Sequence, residues 1–317
     1  MAKRRYAVIG CGAVGGLYGG LLQKNGHEVH FLLHGDYEHV RDNGLVVESV
    51  FGDFILPSVN ACDRAESMPP CDVVLIAIKT TENRLLCDML PHLAPAGAAV
   101  VLLQNGLGGE ELVSAIVPGR AVLGGLCFLC STKTGPGHIR HVDYGRIRLG
   151  HFRADRTPAG RTPAVNAVSD DLCAAGVPVE PVDDLYRARW EKLVWNIPYN
   201  GLCALTDLDT GRLMADASMR TVIEGLMNEV LDGAAACGKS IDRSFVGAML
   251  EATDAMVPYA PSMQLDRRRK RPMELEAIFG IPLKESLAAG AQLPRIRMLH
   301  ALLRMCEDAA VITKERP

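Results

Sequence analysis

Lys192, Asn196 and Asn200 recur every four residues in the stretch Trp190-Glu191-Lys192-Leu193-Val194-Trp195-Asn196-Ile197-Pro198-Tyr199-Asn200. On an α-helix a step of four overshoots one turn by only about 40°. One ammonium and two carboxamides therefore share a face, and such a face suits a small, polar, anionic ligand. Asparagine is a poor helix former. Two of them in mid-helix are accounted for by ligand binding, or by hydrogen bonds to a neighbouring helix. An ammonium beside a carbonyl that accepts a hydride stabilises the developing oxyanion and then supplies the proton. The bland alternative for Lys192 is a surface lysine in an i,i+4 pair, but Trp190, Leu193, Val194 and Trp195 crowd it with apolar neighbours.

The chain opens on a second constellation, Gly10-Cys11-Gly12-Ala13-Val14-Gly15, which matches G-x-G-x-x-G between an apolar run and a helical one. In a dinucleotide-binding unit the first glycine permits the tight turn. The second lets backbone approach the pyrophosphate, the third lets helix and strand pack closely, and the helix N-terminus offers its N–H groups to phosphate. The residue at the end of the second strand reads the adenosine ribose, and here that position is His34. It is neither the carboxylate expected for NAD nor the fixed cation expected for NADP. Asp36 is either a ribose contact or the N-cap of the next helix, and Arg41 either a phosphate contact or a solvated arginine. Asn105 and Lys79 each follow a strand end, where ligands bind in open α/β sheets. A turn asparagine before Gly106 and a solvated lysine are the respective alternatives.

Elements must position these groups. Tyr6 to Ile9 reads as a first strand, about Val14 to Asn25 as a helix stopped by Gly26, and Glu28 to Leu33 as a second strand. Phe51-Gly52-Asp53 joins Leu45 to Val50 and Phe54 to Val59 as a hairpin. Asp72 to Ile78 and Ala98 to Leu103 are near-continuous apolar runs, the pattern of parallel strands covered on both faces. Helices are expected at about Glu82 to Leu90 and Glu110 to Val117. His138 to Leu149, with Asp143-Tyr144-Gly145-Arg146 inside it, reads as a second hairpin. Beyond Pro178 to Asp184 the pattern turns helical: Asp184 to Leu205, Ser218 to Cys237, Arg243 to Ala255, Glu274 to Ala289 and Leu293 to Cys306. The expected fold is α/β: an N-terminal Rossmann-type doubly wound sheet over residues 1–182 and a C-terminal all-helical domain over 183–317.

Composition narrows the function classes. The 317 residues carry a net charge of -3, which is not the footprint of a nucleic-acid binder. The run Arg267-Arg268-Arg269-Lys270-Arg271 reads as a solvated face or a few phosphate contacts. Ten cysteines without framework spacing indicate reduced thiols and a cytoplasmic protein. Cys127-x-x-Cys130 lacks a second pair and nearby histidines, so buried packing is expected there and no metal site. Apolar runs are strand-length, so no membrane span is expected.

Several motifs in order resemble the ketopantoate reductases: Gly10 to Gly15, Ile78-Lys79-Thr80, Gln104-Asn105-Gly106, Gly135 to Gly150, the Lys192 to Asn200 helix, Asn228-Glu229-Val230, Pro261-Ser262-Met263 with Asp266, and Glu274-Leu275-Glu276. The resemblance spans the chain. It implies NADPH-dependent reduction of 2-dehydropantoate to (R)-pantoate, on the route to pantothenate and coenzyme A. It further implies that Lys192 is the proton donor and Glu274 its acidic partner. Asn196, Asn200 and Ser262 become substrate contacts, and Lys79 and Asn105 contacts on the nicotinamide side. The cofactor contacts are thus Gly10, Cys11, Gly12, Ala13, Val14, Gly15, His34, Lys79 and Asn105. Three positions depart from the family pattern. His34 stands where arginine is frequent, Thr210 where a further asparagine is expected, and Pro198 sits within the asparagine helix, where a kink would move Asn200 relative to Lys192.

The partner expected is a small 2-keto acid, and the long C-terminal helices offer a surface for a homodimer. Two alternatives stand beside the main expectation. One is a related 2-keto acid reductase or 2-hydroxy acid dehydrogenase of the same fold, using NAD. The other is a non-catalytic dinucleotide-sensing regulator, which would have no need of Lys192 and Glu274.

Overall fold

Along β1 (Arg5–Ile9) successive side chains enter opposite cores: Tyr6 and Val8 join one cluster, Ala7 and Ile9 another. The period-2 geometry of a strand thus explains why the run is apolar throughout: both of its faces are covered. The computed structural model describes residues 3–312. It divides into two compact units, one of residues up to Gln104 with Gly109–Leu185, the other of Asn105–Gly108 with Tyr186 onward.

The first unit is a ten-stranded sheet. After β1 come α1 (Ala13–Lys24), β2 (Glu28–Leu32), α2 (Tyr37–Asn43), β3 (Leu45–Ser49), β4 (Phe54–Leu56), β5 (Asn60–Cys62) and β6 (Val73–Ile76). A 3-10 turn at Thr80–Leu85 leads into α3 (Leu86–Leu93). Then follow β7 (Ala99–Leu102), α4 (Gly109–Ile116), β8 (Ala121–Gly135), β9 (His138–His151), α5 (Pro163–Ala174) and β10 (Val179–Val182). The spatial order is β4-β3-β9-β8-β7-β6-β1-β2-β5, and β10 pairs with β9. From β5 through β8 the neighbours run parallel. Taken by themselves, those six strands have the order of a doubly wound dinucleotide-binding sheet, with its switch point between β1 and β6.

The segment His138 to Leu149 is not a hairpin. It is one long strand, β9, antiparallel to β8 across the Pro136-Gly137 turn. Asp143-Tyr144-Gly145 resembles a turn because Tyr144 has φ 60° and Gly145 φ 111°. These angles instead make a bulge, where the register with β8 slips between Phe128 and Leu129. The slip has a use. Before it, β9 pairs along its free edge with β3; after it, the same edge pairs with β10. The bulge is also locked, since the Tyr18 hydroxyl donates to the Gly145 carbonyl at 3.2 Å.

The second unit is helical: α6 (Leu185–Thr206), α7 (Thr210–Met214), α8 (Ala217–Ala236), α9 (Ser244–Ala255), α10 (Ser262–Arg268), a π-helical turn at Glu276–Gly280, α11 (Ile281–Ala288) and α12 (Pro294–Ile312). One apolar cluster gathers them around Trp190, Ile197, Tyr199, Phe279 and Leu303. Helix α6 runs unbroken through Pro198, so the proline does not sever Asn200 from Lys192. Buried Glu229 on α8 accepts the backbone N–H groups of Arg295 and Ile296, each at 3.0 Å. That carboxylate neutralises the exposed donors at the start of α12. Among the described residues, no helix is long and apolar enough to cross a membrane.

Candidate functional site

In the first unit the chemistry rests on backbone. Gly10 has φ +96°, and a Cβ there would lie 2.8 Å from Ile78 Cγ2 and 2.9 Å from its N. The glycine turn after β1 and the loop after β6 therefore meet at the switch point, where only glycine fits. Lys79 follows Ile78 directly and caps the 3-10 turn. A Cβ on Gly15 would fall 2.0 Å from the Gly10 carbonyl oxygen, so the first turn of α1 lies flat against the turn before it. At Gly12 a Cβ would enter open space. Gly12 is the N-cap of α1, and no side chain caps that helix. Its first N–H groups are thus left for another acceptor, and the space over Gly12 lets a diphosphate reach them. These features fit a dinucleotide. Cys11 is buried, which pushes its thiol up to about 12 and leaves it inert as a nucleophile.

The carboxyl end of the sheet is tied together by a residue the sequence did not single out as a site residue. Buried Gln104 donates from its amide to the Ile78 carbonyl at 2.9 Å and to Asn83 Oδ1 at 2.6 Å. It joins the segment leaving β7 to the loop that carries Lys79. Its place in Gln104-Asn105-Gly106 was the available signal.

Around the expected ribose position the assignments sharpen. His34 is exposed two residues beyond β2. Asp36 stands at the N-cap position of α2, yet its side chain does not cap that helix. Its Oδ2 instead accepts the Gly137 N–H at 3.1 Å and pairs with the Lys133 ammonium. Arg41 is held by Asp42 at 2.7 and 3.0 Å.

In the second unit the chemistry rests on buried side chains. Lys192 is 8% exposed, Asn196 5%, Asn200 3% and Glu274 3%. Groups this polar are rarely so deep, and burying them is costly without hydrogen-bond partners. Asn200 has one, because its Oδ1 accepts the Met263 N–H at 3.4 Å, at the start of α10. This is the interhelical bond that mid-helix asparagine allows. Asn196 differs: its Nδ2 is buried with no hydrogen-bond partner among the described residues. Ser262 does not cap α10. Pro261 holds that position, and Ser262 is the first helical residue, half-buried.

Two more residues belong to the second unit. Asn105 belongs to the short segment Asn105–Gly108 of the second unit. That segment is fixed by the Leu107 N–H donating to the Ala277 carbonyl at 2.9 Å. The approach is so close that a Cβ on Gly106 would lie 2.3 Å from that oxygen. Ala277 is in the π-helical turn just after Glu274, so Asn105 and Glu274 are held by one local contact, and π-turns recur at functional sites. Thr210 is buried and bonded within the fold. It exchanges two hydrogen bonds with Tyr259, donating N–H to carbonyl at 3.1 Å and accepting N–H on its hydroxyl at 3.0 Å. It thereby anchors the proline segment that leads to Ser262.

Two members of the basic run are engaged by the fold, and the rest of it is exposed. Arg267 donates to the carbonyls of Ala204 and Leu205, and Arg268 pairs with Asp207 at 2.6 Å. Both serve the C-terminus of α6, where cations are favoured. Cys127 packs into the core on one face of the sheet.

The chain is similar to known proteins along most of its length. The family model described as "Ketopantoate reductase PanE/ApbA" matches residues 6–154, and "Ketopantoate reductase PanE/ApbA C terminal" matches residues 184–307. A 2-dehydropantoate 2-reductase from a Nostoc species is 48% identical over 307 residues, 97% of this chain and 96% of that one. The crystal structure of 2-dehydropantoate 2-reductase from Geobacter metallireducens superposes with a TM-score of 0.90 at 43% identity, covering 95% of this chain and 99% of the other. A D-mandelate dehydrogenase solved with NADH and anilino(oxo)acetate shares the fold at 20% identity, with a TM-score of 0.89 over 97% of this chain and 99% of that one.

Proposed function

Since this chain belongs to the ketopantoate reductase family, we propose that it reduces the keto group of 2-dehydropantoate to the alcohol of (R)-pantoate with NADPH, on the route to pantothenate and coenzyme A. The chain is an oxidoreductase. The observation that best supports the finer assignment is the Asn196 amide, an unpartnered donor buried four residues from a buried lysine. A fold keeps such a donor dry without a partner only at a cost of roughly 1–3 kcal/mol. A carboxylate or hydroxyl of the substrate removes that cost.

A nicotinamide, when bound, would supply the hydride that the keto carbon takes up. The chain's own groups do the rest. The N–H groups after Gly12, together with Gly10, Cys11, Ala13, Val14 and Gly15, hold the diphosphate. Lys79 and Asn105 would contact the nicotinamide side, and His34 would meet the adenosine end. Asn196, Asn200 and Ser262 fix the keto acid. Lys192 donates hydrogen bonds to the carbonyl oxygen, stabilises its negative charge as the hydride arrives, and then gives it a proton. Glu274 keeps the ammonium oriented by a charge-assisted hydrogen bond. Burial of both groups strengthens this electrostatic term relative to water.

The test is nicotinamide absorbance, followed with NADPH or NADH against a panel of 2-keto acids. Turnover of 2-dehydropantoate with NADPH is expected. Turnover of branched keto acids lacking the terminal hydroxyl, but not of 2-dehydropantoate, would move the assignment to another 2-hydroxy acid dehydrogenase. No turnover with any of them would point to a dinucleotide sensor.

A further inference from the structure

The usual ribose reader of a dinucleotide-binding unit is a group at the end of β2: an acid for the 2′-hydroxyl of NAD, a cation for the 2′-phosphate of NADP. Three candidates for that role follow β2 here, His34, Asp36 and Arg41, and none is a free cation. His34 is an imidazole, and Arg41 is engaged in two hydrogen bonds to Asp42. Asp36 is drawn toward the β8–β9 turn by the Gly137 N–H and by Lys133.

Lys133 comes from elsewhere in the sequence, on β8. Two residues earlier on the same strand, the Ser131 hydroxyl donates to the Ala13 carbonyl at 3.3 Å, at the first residue of α1. Residues two apart point to one face of a strand, and the register with β9 is regular from Ser131 to Lys133. The face of β8 that bears Lys133 thus borders the glycine turn. In agreement, the Cys11 thiol in that turn senses the charges of both Asp36 and Lys133. The Lys133 side chain is 31% exposed and that of Asp36 10%, so the acid is covered while the ammonium keeps donors toward solvent.

We propose that Lys133 is the specificity-determining residue for the 2′-phosphate of NADPH, acting from β8 in place of a cation at the end of β2. It does two things at once. It supplies the positive charge that a phosphate dianion needs, and it holds the Asp36 carboxylate away from a ribose hydroxyl, which would favour NADH. The inference rests on the NADPH assignment made above.

Binding of four ligands to the full-length protein tests it by calorimetry, without turnover: NADPH, NADH, 2′,5′-ADP and 5′-AMP. The wild type is expected to hold 2′,5′-ADP at least about 10-fold more tightly than 5′-AMP, the scale of one charge-assisted contact. Lys133→Met should lose about 10-fold or more for NADPH and 2′,5′-ADP, while NADH and 5′-AMP hold or tighten. Lys133→Arg should keep the preference, and Asp36→Asn should keep or tighten NADPH. Equal weakening of all four ligands by Lys133→Met would reduce the lysine to a tether of the hairpin and overturn the proposal, as would no change in any. A wild type that binds NADH and 5′-AMP at least as well as their phosphorylated counterparts would instead sink the NADPH assignment itself. That outcome is visible before any variant is made.

Discussion

The glycine turn of the first unit and the Lys192–Asn200 face of the second are built by opposite means. One is made by removing side chains, so that backbone lies against backbone at Gly10 and Gly15. The other is made by burying side chains that would ordinarily seek water. The first spends glycine's conformational freedom, which costs unfolded-state entropy. The second carries an unsatisfied donor at Asn196. Stability and ligand binding should therefore separate differently in the two units.

The largest effect is expected at Lys192. Lys192→Ala should lower kcat by about 1,000-fold, within the range for loss of a general acid, while cofactor affinity in a binding titration stays unchanged. A kcat near that of the wild type would remove the proton-donor role.

The glycine turn offers an internal contrast. Gly15→Ala puts a methyl 2.0 Å from the Gly10 oxygen, and overpacking of this kind costs roughly 1–3 kcal/mol or more. A lowered melting temperature is expected together with lost cofactor binding. Gly12→Ala meets nothing within 4 Å. It should leave the melting temperature in place while weakening the dinucleotide by about 10-fold. If both variants melted alike, the backbone account of this turn would be wrong.

The two asparagines sharpen the same contrast in the helical unit. Asn200→Ala removes the acceptor of the Met263 N–H and should cost about 1 kcal/mol in denaturant unfolding. Asn196→Ala removes a donor that has no partner. It should cost less stability than Asn200→Ala, or even add some, while raising KM for the keto acid. A stability loss at Asn196 as large as at Asn200 would show that its amide is bonded within the fold.

The smallest effect separates the units by pH. Burial lowers the pKa of His27, His141 and His151 in the first unit and of His300 in the second below the ordinary 6.5. The unfolded chain then binds protons that the folded chain refuses. Stability is full above about 6.5 and falls as the pH drops from there through the lowered folded values. Acid unfolding followed by hydrogen exchange should open the sheet unit first.

Regular features were legible in the sequence. The β-α-β alternation, the glycine turn and the four-residue spacing each follow from a short-range period, so residues 5–33 and the helix bearing Lys192 were recoverable. What failed depended on distant partners. Asp143-Tyr144-Gly145 carries turn residues and reads as a turn; only the pairing of β9 with β8, whose register slips there, makes it a bulge. The bonds of Thr210 to Tyr259, 49 residues away, leave no local trace. Asp36 was divided between two local roles, and its actual partners lie about a hundred positions along the chain.

The pairing of β3 with β9 has a consequence for synthesis. Val46 to Ser49 emerge from the ribosome long before His138 to His141, the residues that complete their hydrogen-bond ladder. At about 5–20 residues per second, the roughly 90 residues between them take on the order of 5–20 s to make. For that interval a nascent β-strand with valines on it has its amide edge bare. Faster translation would shorten the exposure, and a chaperone that covers extended apolar chain would protect it. Yield of the intact protein should therefore respond to codon choice in this stretch more than in the helical half.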